Sequence, residues 1–284
     1  MSSGLERSSW TQAWPLFLPL LVAACDSPLD RTDPAVVTSA SRGIDAVASV
    51  ERARSTTAAT WLADVVPAAG VLAAGGEPGR ADLDPDNDEI VGPPAPIKDC
   101  EALLDAAGVR FSAATLPVHE DRMGHVTCGA HQVVIYRSGP EGIRYAPSPL
   151  LTCGMALALA RLEIVVQEEA QARFGSRVRR IEHGGTYSCR KMVRFRSMVS
   201  EHSYANAIDI RGFTLDDGRQ ISVLSHFGNT DSEPPAPRSQ FLRTLARRLY
   251  DEAVFSVVLT PFFDRIHRDH VHVDLARYRV DGTR

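Results

Sequence analysis

At 284 residues the chain has room for one large domain or two small ones. Its composition, 44% hydrophobic and 23% charged, is that of a soluble protein able to bury a core. A formal net charge of −4 excludes the basic balance that nucleic-acid binding usually shows, and the arginine-rich pieces 177–180 and 243–248 are short enough to read as solvated helix ends and faces.

The N-terminus reads as an export address. Arg7 precedes the apolar run Pro15-Leu-Phe-Leu-Pro-Leu-Leu-Val-Ala-Ala24, too short for a mature spanning helix but suited to the core of a signal peptide. Val22-Ala-Ala-Cys25 resembles a bacterial lipobox, in which the cysteine is acylated; an ordinary secretory signal with a chance cysteine is the alternative. Residues 1–25 are thus expected to direct a periplasmic or outer-membrane lipoprotein, held to the membrane by lipid on Cys25. Cys100, Cys128, Cys153 and Cys189 then remain, an even set that predicts two disulfides in an exported chain, with three connectivities open. No CxxC occurs, which argues against a cysteine zinc site and against a redox or cysteine enzyme.

Residues 26–96 are rich in Ala, Asp, Pro, Gly, Ser and Thr. Gly75-Gly-Glu-Pro-Gly, Asp84-Pro-Asp-Asn-Asp and Gly92-Pro-Pro-Ala-Pro are turn chemistry, so this stretch reads as a flexible tether, with room for a short helix near 44–66. The globular domain is placed at 97–284. A short helix is expected over 100–108, ended by glycine, then strands at 109–111 and 126–136. Thr152 can cap a long helix over 153–174 that Gly175 stops, with Met155, Leu159, Leu162, Val166 and Ala170 forming its apolar stripe. A strand over 178–181 leads to a loop through Gly184-Gly185. Strands at 207–210 and 221–224 flank Asp216-Asp-Gly218, a hairpin turn. Phe241, Leu245, Leu249 and Ala253 mark a second core helix over 240–254, and 257–259 and 271–275 read as the last strands. Helices and hairpins in mixed order predict an α+β fold: a single domain with a small antiparallel sheet flanked by helices.

The chemistry gathers in the C-terminal third. Ser200-Glu-His202-Ser-Tyr-Ala205-Asn-Ala207-Ile-Asp209 and His267-Arg-Asp-His270-Val-His272-Val-Asp274 together offer histidines and a carboxylate suited to a metal. His270 and His272 are two apart, so on a strand they share a face: one can bind metal while the other acts on metal-bound water. Pairing the strand that carries Asp209 with the one that carries His272 would assemble His202, Asp209 and His272 around one ion. Three protein ligands with a fourth position for water is the pattern of a catalytic zinc site. Read blandly, the histidines are surface or capping residues and Asp209 and Asp274 are polar hairpin positions. Glu182, His183 and Glu201 fit no pattern and read as surface.

At these residues the chain resembles the LAS-type zinc peptidases, whose signature Ser-x-His-x-x-Gly-x-Ala-x-Asp precedes a C-terminal His-x-His. That group includes D-alanyl-D-alanine peptidases, peptidoglycan endopeptidases and the hedgehog signalling domain. Ser200, His202, Ala207 and Asp209 match in register, while Ala205 replaces the glycine and is expected to alter the loop after the first ligand. A closer resemblance is to bacterial extensin-like C-terminal domain proteins, across about residues 97–278. It is carried by Cys100, Leu151-Thr-Cys-Gly154, Tyr187-Ser-Cys-Arg190, the 200–209 and 267–274 runs, Gly212-Phe213 and Val258-Leu-Thr-Pro261. Those proteins often carry a cysteine where Ala253 stands here, which leaves the partner of Cys189 open. The resemblance implies a LAS- and hedgehog-like fold and Zn²⁺ held by His202, Asp209 and His272. It makes His270 the general base, with His267 orienting the water and Ser200 holding the His202 loop. Arg190 is similar to the arginine of the LAS Gly-Tyr-Arg-Ser segment and is expected to clamp a substrate carboxylate or the oxyanion. The expected activity is zinc-dependent hydrolysis of D-amino-acid-linked amides in peptidoglycan peptides by a monomer. The competing expectation is a non-catalytic, zinc-containing module that binds cell wall or protein.

Overall fold

Thr152 sets the start of the longest helix. Its hydroxyl accepts from the Met155 N–H, and at the far end Gly175 takes the left-handed conformation (φ 60°) and returns its N–H to the Gln171 carbonyl. The computed structural model describes residues 92–121, 125–228 and 236–284. The expected signal, the Cys25 anchor, the helix near 44–66 and the tether as far as residue 91 lie outside the described residues, while at its end the Pro93 carbonyl accepts from the Arg277 guanidinium.

In chain order the elements are α1 (Cys100–Ala106), β1 (Arg110–Asp121), β2 (Val126–Ser138), β3 (Arg144–Ala146), β4 (Leu150–Thr152), α2 (Cys153–Phe174) and β5 (Val178–His183). A 3-10 turn (Glu201–Tyr204), β6 (Ala207–Leu215), β7 (Gln220–Ser222), α3 (Val223–His226) and α4 (Pro237–Asp251) follow. β8 (Val257–Leu259), a second 3-10 turn (Arg265–His267), β9 (Val271–Asp274) and β10 (Val280–Gly282) complete the domain. One sheet has the order β1-β2-β4. The larger runs β10-β8-β9-β6-β5-β3, with β7 also paired to β6. Its centre, β8-β9-β6-β5, is antiparallel, and parallel partners close each end. The fold is α+β, as the mixed order of elements requires.

The core lies where α2 meets α4 and the larger sheet. α2 is buried on nearly every side through its first four turns, Met155, Leu159, Leu162 and Val166 included, so it is a central helix rather than an amphipathic cover. Phe241, Leu245 and Leu249 of α4 fill the other side, with Phe241 against the rings of Phe174 and Phe213. Two disulfides, Cys100–Cys153 and Cys128–Cys189, close loops of 53 and 61 residues. They settle the partner of Cys189 and are compatible with an exported protein. Among the described residues no helix is long and apolar enough to cross a membrane.

Several expectations need correction. The strand read at 221–224 stops at Ser222, because the His226 imidazole accepts the Ser222 N–H and turns the chain into α3. The second core helix ends at Asp251, and Ala253 follows it in a left-handed conformation. β10 was not foreseen; it is a three-residue strand held by its pairing with β8. Arg243, read as solvated, is 4% exposed: it stacks over the Phe227 and Phe262 rings and donates to the Phe227 carbonyl.

Candidate metal centre

Alternation along β6 sends Ile208 and Ile210 into the core and Asp209 to the opposite face. β9 pairs antiparallel with β6 so that His272 stands directly across from Asp209. The His272 Nδ1 lies 2.9 Å from Asp209 Oδ1. His202 arrives from the 3-10 turn before β6, and its Nε2 is 3.2 Å from both Asp209 Oδ1 and His272 Nδ1. Ala205 makes this approach possible: at φ 55° it holds the left-handed conformation that ends the turn, and it is fully buried. Alanine here holds a left-handed conformation that glycine adopts more readily.

Two imidazole nitrogens and one carboxylate oxygen thus converge, all within 4.8 Å of one another. Around a tetrahedral zinc, ligand atoms about 2.1 Å from the ion stand about 3.4 Å apart. The spacings here fall just inside that value, and the donor set is a zinc set, so the residues fit the ion.

A carboxylate fixes the orientation of each later histidine. His272 Nε2 is 2.9 Å from Asp274 Oδ2, and Asp274 is anchored in turn by the Ala276 N–H. A carboxylate can only accept, so Asp274 places a proton on Nε2 and leaves Nδ1 to face the cluster. Asp274 was read as a polar hairpin position; its spacing of two from His272, which puts both on one strand face, was the available signal. His270 lies one residue before β9 begins. Its Nδ1 is 2.9 Å from Asp269 Oδ1, and its Nε2 is 3.6 Å from Asp209 Oδ1, directed at the cluster. His267 donates Nδ1–H to Asp264 at 2.7 Å, and its ring centroid is 5.2 Å from that of His270 and 5.9 Å from that of His272. Asp264 also caps this turn by accepting from the Ile266 and His267 N–H groups.

The electrostatics follow the contacts. Burial pushes the Asp209 carboxyl up, but its hydrogen bonds to His202 and His272 outweigh burial and hold it well below the usual range. For His272, burial pulls down while Asp209 and Asp274 raise more strongly, to about 10. A cation arriving at Nδ1 therefore displaces a proton there. Burial lowers His267.

Arg190 sits on a segment fastened by Ser203, a residue the sequence reading passed over. The Ser203 hydroxyl donates to the Arg190 carbonyl at 2.9 Å and the Ser188 carbonyl at 3.2 Å, and it accepts the Arg190 N–H. Ser200 donates its own N–H to the Arg190 carbonyl and accepts the Ser203 N–H, which ties the segment to the His202 turn. The Arg190 side chain is exposed, and the contacts of this residue run through its backbone. Of the residues read as surface, Glu182 is exposed, whereas His183 is buried with Nε2 2.7 Å from the Pro147 carbonyl. Glu201 accepts from Asn206 Nδ2 at 2.7 Å; burial and the Asp274 charge push its carboxyl up to about 8. Asn206 also donates to the Leu275 carbonyl and accepts from Thr152, so one side chain ties the His202 turn to the end of β9 and the start of α2.

A family model described as the extensin-like protein C-terminus matches residues 98–283. No curated protein and no solved structure matches the chain.

Proposed function

The chain belongs to the extensin-like protein C-terminus family, and we propose that its domain is an exported zinc-dependent hydrolase of D-amino-acid-linked amides in peptidoglycan peptides. The observation that carries this reading is the convergence of His202, Asp209 and His272 beside a histidine whose free nitrogen faces them. These three residues would hold the ion. Zinc bound there supplies a Lewis acid and lowers the pKa of a coordinated water to about 7. Asp269 keeps the proton of His270 on Nδ1, so Nε2 is free to accept a proton from the attacking water and return it to the leaving amine. His267, oriented by Asp264, stands beside His270 as a second hydrogen-bonding ring. Arg190 offers an exposed guanidinium for a substrate carboxylate or the developing oxyanion. The likeness of the 200–209 and 270–272 runs to the LAS signature supports the peptidase reading. The lipobox-like Val22-Ala-Ala-Cys25 and the disulfides support action by a lipid-anchored protein outside the cytoplasm.

Digestion of muropeptides by the purified full chain tests the reading. Product release that stops with a chelator and with His270→Ala is expected. Binding to sacculi with zinc retained and no product would replace it with the non-catalytic module.

A further inference from the structure

Beside the histidines lies a half-open pocket of about 290 Å³ to which no role has yet been given. It forms where β6 changes partners. β9 pairs with β6 as far as Ile210, opposite Val271, and β7 takes over at Gly212, opposite Ser222. Arg211 falls in the gap. On the other side of β6, β5 skips the same residue, since Glu182 pairs with Gly212 and His183 with Ile210. Arg211 is therefore the extra residue of a β-bulge, a device that re-aims a side chain and is frequent beside active sites. It keeps the face of Asp209, two residues earlier.

The pocket is lined by Arg211, Glu182, Asp269, Gly212, Phe213 and Leu224, among others. The Arg211 guanidinium is about half exposed and its ion pair with Asp269 is long, 3.8 Å. Glu182 is likewise half exposed, with a 3.6 Å contact to Arg180. Asp269 is also the residue that orients His270, so the pocket adjoins the proposed base. Leu224, 63% exposed among the described residues, forms an apolar wall. One forked cation, two carboxylates and an aliphatic wall complement a group with one carboxylate, one ammonium and a hydrocarbon stem.

We propose that this pocket is a substrate subsite for a free α-amino-carboxylate carried on an aliphatic arm, with Arg211 taking the carboxylate and Glu182 and Asp269 facing the ammonium. This rests on the peptidoglycan reading above and narrows it to stem peptides whose diamino acid keeps a free second carboxylate. The test compares two probes on the chelator-treated full chain by calorimetry: a tripeptide ending in meso-diaminopimelate, and the same tripeptide ending in lysine, which keeps the ammonium and lacks the carboxylate. The diaminopimelate probe is expected to bind at least about tenfold more tightly, the usual worth of a charge-assisted bidentate contact. Arg211→Gln should erase that preference and Arg211→Lys should retain part of it. Equal binding of both probes to the unaltered chain, a comparison that needs no variant, overturns the subsite, as does a preference that survives Arg211→Gln. Turnover, measured separately with zinc restored, distinguishes the two readings: hydrolysis without preference removes the subsite alone, and preference without hydrolysis removes the catalytic reading alone.

Discussion

Glu163, in the middle of α2, and Asp209, on β6, are both carboxylates withdrawn from water, and they are satisfied in opposite ways. Glu163 accepts from the Tyr136 hydroxyl and from the backbone N–H groups of Gly139 and Glu141. It ties the loop after β2 to the core helix. Asp209 instead lies against two imidazole nitrogens, each of which can give up a proton and bind a cation. A carboxylate held by a hydroxyl and backbone N–H groups is a structural tie, whereas one grouped with imidazole nitrogens is a candidate ligand set. The difference separates what the domain needs in order to fold from what the proposed activity would use.

Exchanging the losses at the two sites is the strongest way to break the comparison. Asp209→Ala should abolish stoichiometric zinc while the domain stays folded. Glu163→Ala should leave the zinc content intact but cost about 3–5 kcal/mol, since three donors lose their acceptor and a cavity opens. Denaturant unfolding and metal analysis of both variants read the two effects separately. A Glu163 variant that loses zinc while still folded would collapse the distinction.

A pH series sharpens it. Burial raises the Glu163 carboxyl from 4.5 to about 7, against the hydrogen bonds it accepts. Because the folded-state pKa is the higher one, its contribution is fully present below about pH 4.5 and is lost as the pH rises through 7. The difference between the two pKa values corresponds to a decline of about 3 kcal/mol. Glu163→Gln, which cannot ionise, should remove that slope from unfolding measurements at pH 5 and 7.5; an unchanged slope would assign it elsewhere.

A smaller effect tests how His272 is held. Asp274→Asn keeps the shape but weakens the acceptor on Nε2, and should reduce zinc affinity about 10–100-fold in competition with a chromogenic chelator. The smallest effect is expected at Ala205. Glycine there would relieve the left-handed backbone by about 1 kcal/mol but would lose a buried methyl and add chain entropy of similar size. Ala205→Gly should therefore change stability by less than about 1 kcal/mol and leave zinc affinity unaltered.

What the sequence disclosed depended on the range of the interaction. The start and stop of α2 were readable, because Thr152 and Gly175 act on backbone groups within four residues. The hairpin at Asp216-Asp-Gly218 was readable for the same reason: Gly218 takes φ 87° and donates to the Leu215 carbonyl. His202, Asp209 and His272 were found together because the pleat puts Asp209 and His272 opposite once the strands pair. The role of Ser203 and the burial of His183 were missed because their partners, Ser188 and Arg190 for one and Pro147 for the other, lie 13 to 36 residues away and no local pattern announces them, whereas Asp274 was legible in its spacing of two from His272. The bulge at Arg211 shows in the alternation, where the core positions of β6 pass from Ile208 and Ile210 to Phe213 and Leu215, but its change of partners among three strands has no local signal.

His202, Asp209 and His272 are proposed to form one zinc centre. X-ray absorption on the full chain, purified with its native metal content, tests it most directly. One zinc per chain with nitrogen and oxygen ligands at about 2.0–2.2 Å, lost in the His202→Ala and His272→Ala variants, is the predicted result. Zinc that persists in the double variant, or a sulfur ligand near 2.3 Å, would contradict it.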